Sequence, residues 1–106
     1  MLFRSRLHLD LLGGSAQQEI ARRLRGLGAS DLDVGQGEVP WIVLGDVEGG
    51  AFCVMEERAA YTGTGPLAAL PLDSADPERD AEFWAWLSGW VPAPAVAPRT
   101  DRKSVV

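Results

Sequence analysis

The stretch "RLHLDLL", residues 6–12, carries the single histidine of the chain, His8, two residues after Arg6 and two before Asp10. An imidazole in that setting can bind a transition metal through a neutral ring nitrogen, or contact a substrate. Its plainest reading is a strand histidine hydrogen-bonded within a polar cavity. Cys53, in "AFCVME", is the single cysteine, so an intramolecular disulfide and a cysteine-built zinc knuckle are both excluded. A thiolate can ligate zinc or act as a nucleophile, yet between Phe52 and Val54 this one reads first as a small core side chain. No second histidine exists to serve Cys53 as a base, which sets aside an acyl-transfer triad unless another chain supplies one. Glu56 and Glu57 could offer a general base or a shifted metal ligand; alternation puts Glu56 on the side of Phe52 and Val54, where a solvated strand-end carboxylate is the simpler expectation. Trp41, with Phe52, could line an apolar ligand pocket.

These residues must be positioned by elements that the hydropathy pattern outlines. Residues 3–11 alternate, with Phe3, Leu7, Leu9 and Leu11 on one face and Arg4, Arg6, His8 and Asp10 on the other, the period of a half-buried strand. Gly13-Gly14 breaks it. Ser15, with Gln18 three residues on, then predicts a capped helix with an apolar stripe of Ile20, Leu24 and Leu27, closed by Gly28. "SDLDV" at 30–34 is a short strand candidate. "WIVLGD" (41–46) and "AFCVME" (51–56) read as a hairpin turning through "VEGG". The order is β-α-β-β-β.

After a polar, glycine-rich connector over 57–66, the pattern restarts. "LAALPL" at 67–72 reads as a strand. Asp76 and Pro77 predict a helix start, and Phe83, Trp84, Leu87 and Trp90 its apolar side. Aligning Leu9-Asp10 with Leu72-Asp73 exposes a weak repeat of strand, loop and helix, whose second copy stops after the helix. A sheet with a helix on one face leaves the face of Arg6, His8 and Cys53 open, so the pattern predicts completion by a second chain or by further sequence. Trp86, off the stripe of the second helix, is the expected dimer contact.

Composition narrows the function classes. At 106 residues the chain suits one modest domain, and 46% apolar with 24% charged residues is that of a folding, globular sequence. A net charge of −5 with scattered basic residues argues against a nucleic-acid partner. No run of residues is apolar and long enough to span a membrane, and no apolar signal core opens the chain, so a cytoplasmic location is expected. "VGQGEVP" lacks the spacing of a phosphate loop. The last residues, "RTDRKSVV", hold the chain's one lysine and no periodicity; they are expected to be foreign to the domain, with residues 96–106 a disordered tail.

Three stretches together resemble a known family. "RLHLDLL", the helix ending "LRGLGA", and "VGQGEVPWIVLGDVEGGAFCVME" resemble the βαβββ module of a glyoxalase-like domain in the vicinal oxygen chelate superfamily. "GPLAALPLDSADPERDAEFWAWLSGW" is similar to the opening strand and helix of a second module. The resemblance implies a cupped sheet whose concave face commonly holds a divalent metal, with ligands on the first and last strands of each module. Family activities include lactoylglutathione lyases, extradiol dioxygenases and epimerases, and some members bind drugs without turning them over. On this chain the resemblance puts His8 at the first-strand ligand position. It puts Cys53 where the family usually has a glutamate, and Pro71 at the position equivalent to His8 in the second copy, both departures.

The resulting expectation is an α+β protein: a βαβββ glyoxalase-like module over residues 1–59, a partial second module over 60–95, and the tail. A small molecule would bind in the cup through Arg6, His8, Trp41 and Cys53. His8 would be the candidate ligand for a divalent metal ion of a lyase or dioxygenase, a homodimer would complete the sheet, and an incomplete, inert fragment is the remaining alternative.

Overall fold

A computed structural model describes residues 7–91 and the strand 103–105. The protein is mixed α and β, as the sequence predicts, with the element order β1 (Leu9–Leu12), α1 (Gln17–Gly26), β2 (Ser30–Asp31), β3 (Ile42–Gly45), β4 (Ala51–Met55), β5 (Leu67–Ala69), β6 (Pro71–Asp73), α2 (Pro77–Ser88) and β7 (Lys103–Val105). One sheet has the strand order β2-β3-β4-β1-β5, and β6 pairs with β7 in a second. By packing, the chain divides into a unit of residues 9–68 and another of residues 1–8 with 69–106.

In the first unit, β1 runs parallel to β4 with Asp10 opposite Cys53, and β3 and β4 form the predicted antiparallel hairpin with Val43 opposite Cys53. The hairpin turn is built by Asp46, whose Oδ1 accepts the amides of Glu48 and Gly50 at 2.9 Å each, while Gly49 adopts a left-handed φ of 87°. Such a side-chain oxygen replaces the strand partners that the turn residues lose.

Helix α1 begins one residue later than the Ser15 cap predicts. A turn of 3-10 helix spans Gly14–Ala16, and Ala16 is the N-cap, with no side-chain cap bond. The Gln17 amide instead ties the helix to the sheet, its Nε2 donating to the carbonyls of Pro40 at 2.8 Å and Val54 at 3.0 Å. The core beneath α1 is Ala21, Leu44 and Val54, with Ile20, Leu24, Ile42 and Phe52 packed around it. Leu27, predicted on the buried stripe, is exposed: it is the C-cap, past the last turn that faces the sheet. Gly28 follows at a φ of 113°, where a side chain is strained, and closes the helix as predicted.

Alternation in β1 survives, but its burial differs from expectation. Leu9 is 45% exposed while Asp10, on the opposite face, is 6% exposed. The core under α1 is built from β3 and β4, leaving Leu9 outside it. Cys53, Val54 and Met55 are consecutive and all buried, so β4 is covered on both faces and the side of Cys53 is not left open.

In the second unit, α2 starts as predicted: Asp76 Oδ1 accepts the Arg79 amide at 3.2 Å, Pro77 occupies the first turn, and Gly89 closes the helix in a left-handed conformation. None of its residues is buried, and of the predicted apolar side Phe83 and Leu87 are exposed while Trp84 and Trp90 line an apolar recess with Leu7, Leu70 and Leu72. Lys103–Val105, predicted to lie in an unstructured tail, pairs antiparallel with β6, because the open edge of a short strand offers unpaired amides and carbonyls. Residues 96–102 and Val106 lie outside the described residues.

Candidate functional site

The site builds from β1 and β4. Side chains that face each other across a parallel ladder share one face of the sheet, which puts Asp10 and Cys53 together on the side away from α1. His8, two residues upstream of Asp10 along continuous chain, points to that side by the same alternation. One ligand atom from each of His8, Asp10 and Cys53 lies within 4.8 Å of the others. His8 is half-buried, and Asp10 and Cys53 are buried. The backbone of His8 is held in turn by Pro71, whose carbonyl accepts the His8 amide at 3.3 Å beside an antiparallel bridge between Leu7 and Leu72. The two positions that the internal repeat equates, His8 and Pro71, are thus bonded through their backbones.

The connector after β4 brings further groups to this face. Arg58 pairs with Glu56, and its guanidinium lies 5.9 Å from the centre of the Trp41 ring and 5.6 Å from that of Tyr61, within cation–π range. Tyr61 is buried, and burial pushes its phenol above the ordinary tyrosine value. The Arg58 charge opposes that rise, and the Asp10 and Glu56 charges add to it. The phenol is therefore a neutral hydrogen-bonding group at neutral pH, close enough to Asp10 to feel its charge.

Glu56 is not the solvated strand end that alternation predicts. Its side chain is 18% exposed, one oxygen pairs with Arg58, and Oε1 is buried without a hydrogen-bond partner. It lies beyond Met55, where β4 ends, and alternation no longer governs its direction. Trp41 and Phe52, paired in the sequence reading as one pocket, part company: Phe52 packs with the core under α1, whereas Trp41 lies against Arg58. Trp41 also lines an open depression of about 410 Å³ with Asp31, Asp33 and Gln36. Arg6 lies outside the described residues. Sequence reasoning missed Arg58 and Tyr61, and the signal was present in "ERAAY": a cation and the chain's only tyrosine three residues apart, directly after a buried strand.

The donor set of His8, Asp10 and Cys53 offers nitrogen, oxygen and sulfur, each an established zinc ligand type. A tetrahedral zinc ion with bonds of about 2.0–2.3 Å sets its ligand atoms roughly 3.3–3.8 Å apart, so a group whose ligand atoms lie within 4.8 Å could hold such an ion once its side chains draw together around it. The residues present could hold a metal ion.

A βαβββ module with a helix on one face of its sheet and convergent polar groups on the other defines a class of small α+β domains. The family model of a glyoxalase-like domain matches residues 3–55, half of the chain. The chain belongs to that family, in keeping with the vicinal oxygen chelate superfamily. No curated protein and no solved structure matches it. Among the described residues no helix is long and apolar enough to cross a membrane.

Proposed function

We propose that this glyoxalase-like chain binds a small molecule on the sheet face opposite α1, with His8, Asp10 and Cys53 as the polar anchor. The observation that carries this reading is the convergence of three chemically different donors within 4.8 Å on that face, whereas a purely structural strand pair would more commonly place apolar side chains there. Trp41 and the Arg58–Tyr61 pair would bound the ligand on the connector side. The family assigns no particular reaction, since one fold hosts many chemistries.

The same group favours a second reading, in which His8, Asp10 and Cys53 hold a divalent metal ion of the zinc class. Such an ion would act as a Lewis acid toward a ligand carbonyl. The chain's own contribution is to supply the three donors, keep Asp10 and Cys53 desolvated, and present the neutral phenol of Tyr61 nearby. Elemental analysis of purified protein after metal loading separates the readings. Stoichiometric metal that disappears in His8→Ala and Asp10→Asn supports the metal-dependent reading; folded wild type that takes up no metal leaves only the metal-free binding protein. Failure of wild type to bind any member of a panel of small carbonyl and hydroxy compounds, with or without metal, would sink both.

A further inference from the structure

The donor group of His8, Asp10 and Cys53 has a single oxygen-bearing member. His8 and Asp10 come from one stretch of chain, two residues apart, whereas Cys53 comes from β4 and is the only donor of the three that another strand supplies. Cys53 is 7% exposed and Asp10 is 6% exposed, yet neither is part of the apolar cluster under α1. A thiolate and a carboxylate together carry two negative charges, and a neutral imidazole adds none. Buried charge persists where it is compensated. One divalent cation makes this group neutral, whereas a monovalent ion leaves it negative.

We propose, resting on the metal-dependent reading of the same group, that Cys53 makes this a site for a thiophilic divalent ion, zinc with cobalt and cadmium as its mimics, and closes it to magnesium, calcium and manganese. Thiolate and imidazole select ions of the zinc class, whereas those three hard ions are served by carboxylate, carbonyl and water. Calcium takes about six to eight oxygen ligands and magnesium keeps several waters. A group with one carboxylate, two of whose three members are buried, offers neither the oxygens nor the exposed surface for that hydration. Without its sulfur the group is reduced to His8 and Asp10, a two-donor chelate from one stretch of chain. The Cys53 thiolate is thus both the selective donor and the one that joins the ion across the β1–β4 pair. Three protein donors on a four-coordinate ion leave a fourth position for water or a small-molecule ligand.

Titration of the chelator-stripped full chain with cobalt(II) under reducing conditions tests this. A cobalt–thiolate bond has its own charge-transfer absorption in the near ultraviolet, and Cys53 is the only cysteine that can give it. Wild type is expected to develop that band, to lose it on addition of stoichiometric zinc or cadmium, and to keep it in a large excess of magnesium or manganese. Cys53→Ser is expected to remove the band and to lower zinc affinity by more than about 100-fold, beyond the cost of losing a supporting outer partner, with an unchanged far-ultraviolet circular dichroism spectrum. Asp10→Asn, which keeps the sulfur, is expected to retain the band at reduced affinity. Cobalt or zinc uptake without the band, manganese that competes with zinc on equal terms, or full zinc affinity in folded Cys53→Ser each overturns the selectivity assigned to Cys53 while leaving a metal held by other donors. A wild type that takes up no metal overturns this proposal and the metal-dependent reading together. Should Cys53→Ser fail to fold, the presence or absence of the wild-type band decides alone.

Discussion

Asp10 and Cys53 face each other across the parallel ladder of β1 and β4, both buried, on the side of the sheet away from α1. A carboxylate removed from water costs free energy unless other groups compensate it, so its neighbours on that face decide what the strand pair does. His8 and Tyr61 are such neighbours, the first with a ring nitrogen within 4.8 Å and the second through a phenol on which the Asp10 charge acts.

Replacing Asp10 by asparagine preserves its shape and removes its charge. If a divalent ion is held there, metal affinity should fall by more than the roughly 10–100-fold that loss of a supporting outer partner costs. Competition with a chromophoric chelator measures this; equal affinity in Asp10→Asn would remove Asp10 from the ligand set.

Tyr61 is the chain's only tyrosine, so its ionisation is directly visible in the near-ultraviolet absorbance of tyrosinate. Burial raises its pKa in the folded state above the ordinary 10.0. The folded state therefore holds the phenolic proton more tightly than the unfolded chain does. The associated stability is fully present below pH 10 and is lost as pH rises through the folded-state pKa. Arg58→Gln removes a charge that lowers the pKa and should move the titration further up. A downward move would contradict the burial geometry.

Gly13 lies where β1 passes into the turn before α1, and a Cβ there would stand 2.4 Å from the Met55 carbonyl oxygen and 2.8 Å from Val54 Cγ1. The nearer obstacle is backbone and cannot rotate away. Gly13→Ala should cost about 1–3 kcal/mol through overpacking, measured by urea unfolding, whereas Gly14→Ala meets no atom within 4 Å and is opposed only by its φ of 55°.

Leu44 is fully buried beneath α1. Leu44→Ala should destabilise the chain by about 2–5 kcal/mol, the range for emptying a leucine site in a core. A much smaller loss in the same unfolding experiment would mean that α1 collapses onto the gap.

Much of this was legible from local rules. Alternation gave the face shared by His8 and Asp10, glycines gave the hairpin turn and the end of α1, and Asp76-Pro77 gave the start of α2, because each depends on a few neighbouring residues. The resemblance carried by "RLHLDLL" and "VGQGEVPWIVLGDVEGGAFCVME" led to the family that the match over residues 3–55 shows.

What the sequence by itself determined, then, is the order of the elements from β1 to β4, the place of α2, and which side chains share a face, since periods of 2 and 3.6 are properties of the backbone. Only tertiary structure decided the rest. Register set Cys53 opposite Asp10, a relation between residues 43 positions apart that no local pattern encodes. The return of the connector brought Arg58 between Trp41 and Tyr61 and drew Glu56 out of water. Burial inverted the expectation for β1, leaving Leu9 half exposed and enclosing Asp10, because the core under α1 is assembled on β3 and β4 and not on the strand whose leucines advertised it.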